Sequence, residues 1–199
     1  MDLDIPYHSA LKGTRVEQSE PLDRFEHNGS VAFVHDVFNP LPKDFDACDC
    51  FYLEPPYPAG AKVFDERVGV SGRTHRQLIS HISDFICSTE KPVVVTLSKS
   101  VVNQYPSPTQ LLEVDFVHSK GGQKTLLAVY NTYLGNPKTT NEALLTLLKT
   151  YDCVGDFVCG YGHTAEVALS QNKKFVVSDY NPLCIGFIAE RVKEYENNK

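Results

Sequence analysis

No apolar run in the sequence is long enough to cross a bilayer; a stretch such as VVV at 93–95 is typical of what is present. The first residues, MDLDIPYHS, are acidic and lack an apolar core, so no signal peptide is expected and the cytoplasm is the expected location. Cysteine is sparse. Cys48, Cys50, Cys87, Cys153, Cys159 and Cys184 form no C-x-x-C pair, which excludes a disulfide-stapled secreted scaffold and leaves reduced core thiols. Cys48 and Cys50 are expected on one face of a strand, and no second cluster offers the further ligands a zinc ion needs. Positive charge is also short: 19 Lys and Arg against 25 Asp and Glu give a formal net charge of −6, the wrong sign for a protein that holds nucleic acid by charge alone. Internal repeats and low-complexity tracts are absent.

What is present is a chain of 199 residues with 42% hydrophobic and 22% charged residues, enough for one domain with a proper core. Residues 1–30 are polar and irregular and read as an N-terminal arm; residues 31–199 read as a single domain. VAFV (31–34), ACDCFYL (47–53) and PVVVTLS (92–98) are continuous apolar runs, as in strands covered on both faces. Thr74 with Gln77, and Thr139 with Glu142, have capping-box spacing and predict helix starts. LLEVDFVH and KTLLAVYNTY, separated by SKGGQ, predict a hairpin. Asn181 and Pro182 form an N-cap and N1 pair before a last helix that turns Ile185, Ile188, Ala189 and Val192 inward. Strands alternating with helices predict an α/β fold around a mostly parallel sheet with an antiparallel edge.

Two stretches carry chemistry. In DCVGDFVCGYGHTAEVALSQNKKFVVSDYNP (152–182), a strand runs into Gly160-x-Gly162-x-x-Ala165, a helix follows, and the next strand ends in Asp179. Glycines let a ligand approach the backbone closely, and an acid at the end of the second strand can accept both hydroxyls of a ribose. A dinucleotide fits this pattern, and so does S-adenosylmethionine. Three features favour the second. Asp156 stands four residues before Gly160, within reach of a methionine amino group; few residues follow Asp179; and EPPY at 54–57 has no role in hydride transfer.

EPPY suits the activation of an exocyclic amine, whose lone pair is delocalised into its ring. Two acceptors gripping the two N–H bonds favour pyramidal nitrogen. Glu54 offers a carboxylate, and Pro55 offers a carbonyl held extended by Pro56. Tyr57 offers a ring to stack on a base. Catalysis then comes from positioning and charge, without a metal.

With these residues the sequence resembles the S-adenosylmethionine-dependent amino-methyltransferases of DNA, which act on adenine N6 or cytosine N4. Their catalytic Asp/Asn/Ser-Pro-Pro-Tyr is matched by Glu54-Pro55-Pro56-Tyr57, and their D-P-F-x-G-S-G-T by DFVCGYGHT at 156–164. Their I-E-x-N-P stretch is matched by Val177-Ser178-Asp179-Tyr180-Asn181-Pro182, and the catalytic motif precedes the cofactor motif, the permuted order of the β group. The resemblance covers about residues 31–195. It implies a Rossmann-like class I methyltransferase fold with a seven-stranded sheet and an antiparallel edge hairpin, and DNA methylation of the restriction–modification kind. It implies that Asp156, Cys159, Gly160 and Gly162 hold the methionine end of the cofactor, Asp179 its ribose and Asp36 its adenine.

Departures from the pattern are specific. Glu54 adds one methylene to the usual acid, a displacement of roughly 1 Å, a size that matters in catalysis. Thr140 and Asn141 stand where the family has a lysine–proline pair, and no separate target-recognition domain is expected, since the hairpin at 114–133 runs almost directly into that loop. The loop from Pro58 to Arg76 carries Lys62, Arg67, Arg73 and Arg76 against Asp65 and Glu66 and is the expected nucleic-acid contact. A target base in duplex DNA must be flipped out. The modest charge suits single strands, or a protein partner or second copy that supplies target choice. His163, next to Gly162, reads as a polar loop residue beside the cofactor. Two other readings stay open: a methyltransferase-like subunit without catalysis, kept for assembly or cofactor sensing, and the same chemistry on RNA or a protein amide.

Overall fold

The computed structural model describes residues 19–56, 74–116 and 124–198. Tyr57, Lys62, Arg67 and Arg73, and the turn of the predicted hairpin, lie outside the described residues. The strands are β1 (Arg24–His27), β2 (Ser30–Val34), β3 (Cys50–Leu53), β4 (Val93–Leu97), β5 (Gln110–Asp115), β6 (Lys124–Tyr130), β7 (Cys153–Asp156) and β8 (Lys174–Asp179). The helices are α1 (His75–Ser88), α2 (Thr140–Thr150), α3 (His163–Ser170) and α4 (Pro182–Asn197).

All eight strands form one sheet in the order β1-β2-β8-β7-β3-β4-β6-β5. The five strands from β2 to β4 run parallel, as their unbroken apolar sequences predict. The antiparallel hairpin of β5 and β6 closes one edge as expected. The other edge is β1, an eighth strand where seven were expected. It pairs antiparallel with β2 across Asn28 and Gly29, both at positive φ (47° and 77°), which suits the twist of a two-residue hairpin turn.

The sheet is covered on both faces. Leu78, Ile79, Ile82 and Ile86 of α1 pack one face, among Phe33, Phe45, Phe51 and Phe157. Leu144 and Leu147 of α2, Ala165 and Val167 of α3, and Ile185, Ile188 and Val192 of α4 pack the other. Thr74 and Gln77 form the predicted capping box. At Thr139 only half of one forms: Thr139 Oγ1 accepts the Glu142 amide, but the Glu142 carboxylate takes the Lys138 amide instead.

ACDCFYL is not one strand. Lys43–Ala47 is a 3-10 helix and pairing begins at Cys50. Asp49 interrupts the run, because its carboxylate accepts the amides of Asp152 and Cys153, each at 3.0 Å. Cys48 and Cys50 therefore lie on opposite faces of the sheet, contrary to the sequence expectation. All six cysteines are free, and only Cys87 is exposed. No described helix is long and apolar enough to cross a membrane.

Candidate active site

The two motifs meet because β3 and β7 are parallel neighbours, with Cys50 opposite Val154 and Phe51 opposite Gly155. Glu54, just past β3, and the glycine turn, just past β7, thus leave the sheet side by side. β8 flanks β7, and β2 flanks β8 with Val34 opposite Asp179. Four acids accordingly gather at the carboxyl ends of adjacent strands: Asp36, Asp179, Asp156 and Glu54. The strand order reverses here, since β7 leads through α3 to β8 on one side while β3 leads through α1 to β4 on the other. Ligands of open α/β sheets bind at such a reversal.

The turn is built on two glycines with different tasks. Gly162 (φ 82°) caps α3, and a Cβ there would lie 2.4 Å from Ile188 Cγ1 of α4. Gly160 (φ 48°) would point a Cβ into open space. Between β7 and β8 the turn is tied by the Cys159 amide on the Ser178 carbonyl (3.1 Å) and the Gly162 amide on the Cys159 carbonyl (2.8 Å). Cys159 is buried, and burial pushes its thiol pKa well up, so it is present as a thiol.

Asp179 grips both flanks of the turn. Its carboxylate accepts the Gly160 amide at 3.0 Å and the Asn181 amide at 2.9 Å. Burial pushes its pKa up to about 6, against those hydrogen bonds, which pull it down. Asp156 is only 1% exposed. Its oxygens accept the Thr164 hydroxyl (2.8 Å) and the Val158 amide (3.1 Å). Burial raises its pKa well above its ordinary value, with Glu54 and Asp179 adding to the rise. Asp156 therefore braces the turn from inside. Asp36 is half-buried and accepts the Phe38 amide at 3.0 Å.

Glu54 faces His163, with Oε1 3.3 Å from Nδ1 and the side chains 18% and 8% exposed. His163 is thus no loop residue: it is the first residue of α3, buried, and turned toward the acid of the other motif. Burial presses the imidazole pKa down, and the carboxylates of Glu54 and Glu166 more than offset this, leaving it above its ordinary value. The position next to Gly162 was the available signal, but only the register of β3 against β7 gives it a partner. Pro55 is buried, and the Pro56 carbonyl meets His75 Nε2 at 3.0 Å, tying the motif to the start of α1. Arg76 is exposed on the first turn of α1, on the same stretch as His75. Thr140, at the start of α2, is buried, and its carbonyl accepts the Tyr52 hydroxyl at 3.1 Å. Among the described residues no group of three or more His, Cys, Asp or Glu side chains is arranged to hold a metal.

No protein-family model matches the sequence, and no curated protein does. Solved structures do match. The crystal structure of M1.HpyAVI is similar over 81% of this chain and 98% of its own, with 13% identity and a TM-score of 0.54. The M1.HpyAVI–SAM complex is similar over the same shares, with 13% identity and a TM-score of 0.51. TTHA0409 from Thermus thermophilus, a candidate DNA modification methylase, overlaps more loosely, with 12% identity, a TM-score of 0.44, and 73% and 86% of the two chains covered. At these identities the likeness concerns the fold.

Proposed function

We propose that this chain binds S-adenosylmethionine at the turn between β7 and α3 and transfers its methyl group to an exocyclic amino group, adenine N6 in DNA. The observation that carries the reading is the convergence of Glu54 with the glycine turn, since a carboxylate on a remote surface would have ended it. The likeness in fold to a structure that holds SAM supports the choice of ligand.

The residues fit the cofactor. The space beside Gly160, which a Cβ would enter, is the cradle. Asp179 would take the ribose hydroxyls, Asp36 the adenine, and the backbone of Cys159, Gly160 and Gly162 the methionine end. Asp156, which braces the turn, would join them at the methionine end. When bound, S-adenosylmethionine supplies an electrophilic methyl group.

Catalysis by the chain is then positional. The Glu54 carboxylate and the Pro55 carbonyl accept the two N–H bonds of the target amine, and Tyr57 stacks on its ring. The nitrogen that gains a methyl group must lose a proton, and Glu54 is the acceptor in contact with it. DNA contact falls to Lys62, Arg67, Arg73 and Arg76. With a net charge of −6, a partner subunit or second copy supplies the rest.

The test is transfer of labelled methyl from S-adenosylmethionine to unmodified single- and double-stranded DNA, with the product bases identified after digestion. N6-methyladenine is expected. Glu54→Ala and Tyr57→Ala should each lose roughly a hundredfold or more in turnover while still binding cofactor. Label on no DNA counts against the reading. Tight cofactor binding without transfer favours the non-catalytic subunit, a reading motivated by the Glu54 substitution and the acidic charge. Label on RNA or a protein amide instead would redirect the substrate.

A further inference from the structure

We infer that His163 is the positioning residue of this site: its imidazole holds the Glu54 carboxylate in place for the methyl acceptor, and the two side chains work as one unit. This rests on the function proposed above. The pair spans the two motifs at 3.3 Å and is largely withdrawn from water. His163 has little freedom to move away, because it follows Gly162, whose Cα is packed against Ile188, and because α3 is sealed by Ala165, Val167 and Ala168. Two of the chain's departures from the family pattern meet here. The acid is longer by one methylene, and histidine replaces the threonine that follows the second glycine. A longer acid needs a new anchor to end in a defined place, and the imidazole is that anchor.

Charge explains why the anchor is a base. Glu54 shares its rim with Asp156 at the end of β7 and Asp179 at the end of β8, and an uncompensated third carboxylate there would tend to take up a proton and lose its capacity as an acceptor. The charged groups facing His163 are Glu54 beyond β3 and Glu166 on α3, the latter paired with Arg191 of α4. Below its raised pKa the imidazole is charged and the pair is intact; as pH rises through that value the pair is lost. Turnover should therefore carry an alkaline limb that belongs to His163.

Two measurements test this. The first follows the imidazole of His163 by nitrogen-labelled NMR in the wild-type chain and in Glu54→Gln, with no cofactor or DNA. A downward shift of the His163 pKa in Glu54→Gln is expected, and an unchanged value overturns the pair. The second compares Glu54→Asp, His163→Thr and the double variant in single-turnover methyl transfer to DNA. Each single change should lose about tenfold or more in rate with little change in KM, and the double should be no worse than the poorer single. His163→Gln, which keeps a donor but does not titrate, should lose the alkaline limb. Additive losses, or a limb that survives in His163→Gln, overturn the coupling. If the wild type methylates no DNA but the pKa falls in Glu54→Gln, the pair stands and the proposed function is what fails.

Discussion

Two glycines two residues apart should respond differently to the same methyl group. Alanine at Gly162 would have to hold φ near 82° and place its Cβ 2.4 Å from Ile188 Cγ1 and 2.9 Å from its Cδ1. Left-handed backbone costs about 1–2 kcal/mol for a residue with a Cβ, and overpacking a filled core adds about 1–3 kcal/mol. Gly162→Ala should therefore lose about 2–5 kcal/mol of stability. Alanine at Gly160 faces only the backbone cost of about 1–2 kcal/mol, because its Cβ meets nothing within 4 Å. If that open space is the cofactor cradle, Gly160→Ala should weaken S-adenosylmethionine binding by about tenfold or more, equivalent to about 1.4 kcal/mol. Urea unfolding of the apo protein measures the first quantity and titration calorimetry the second. Wild-type affinity in Gly160→Ala would remove the cradle from the account. Equal stability of the two variants would refute the packing argument.

The Asp179 pKa of about 6 exceeds its ordinary 3.8, so between these values the folded chain holds a proton that the unfolded chain has released. Stability should then fall as pH rises from about 4 to 6, by up to about 3 kcal/mol from this group. Asp179→Asn should flatten that slope in urea unfolding, leaving the part contributed by Asp156, whose pKa is raised in the same direction. On the proposed reading of Asp179 as the ribose acceptor, cofactor affinity should move the other way and weaken as pH falls below about 6. At Gly186 of α4 a Cβ would lie 1.9 Å from the Glu20 carbonyl oxygen. Gly186→Ala should cost about 1–3 kcal/mol. It should also speed amide exchange at residues 19–22, which are docked on α4 by Ser19 on Glu190 and by the Leu22 amide on the Pro182 carbonyl.

The parallel core was legible because its strands are buried on both faces and so read as unbroken apolar runs. Helix starts were legible because capping is local chemistry. β1 was not, because RFEH is short and alternates exposed with half-buried residues, as an edge strand does. Its signal was the Asn28-Gly29 turn, which the polar surroundings masked. The error at Cys48 has a similar origin: periodicity registers an apolar run but not the Asp49 carboxylate that ends it by binding a segment distant in sequence. At the site, the glycine spacing and the two motifs were legible. The contact of His163 with Glu54 was not, since it depends on β3 lying beside β7.

Spacing alone left two ligands for the glycine loop, and the neighbours of the loop now weigh between them. A dinucleotide would bring a pyrophosphate to the start of α3. That helix is short, and the Glu166 of its first turn is paired with Arg191. Asp156 is bound to Thr164 beneath it, and Glu54 lies against His163 at its first residue. Phosphates placed there would exchange hydration for nearby carboxylates, at a helix end whose partial positive charge is small beside a full negative one. A ligand with a sulfonium and an ammonium meets the carboxylates of this rim with the opposite sign. On the proposed reading, the acidity that counts against phosphate-rich ligands over the whole chain favours a cationic methyl donor at this turn.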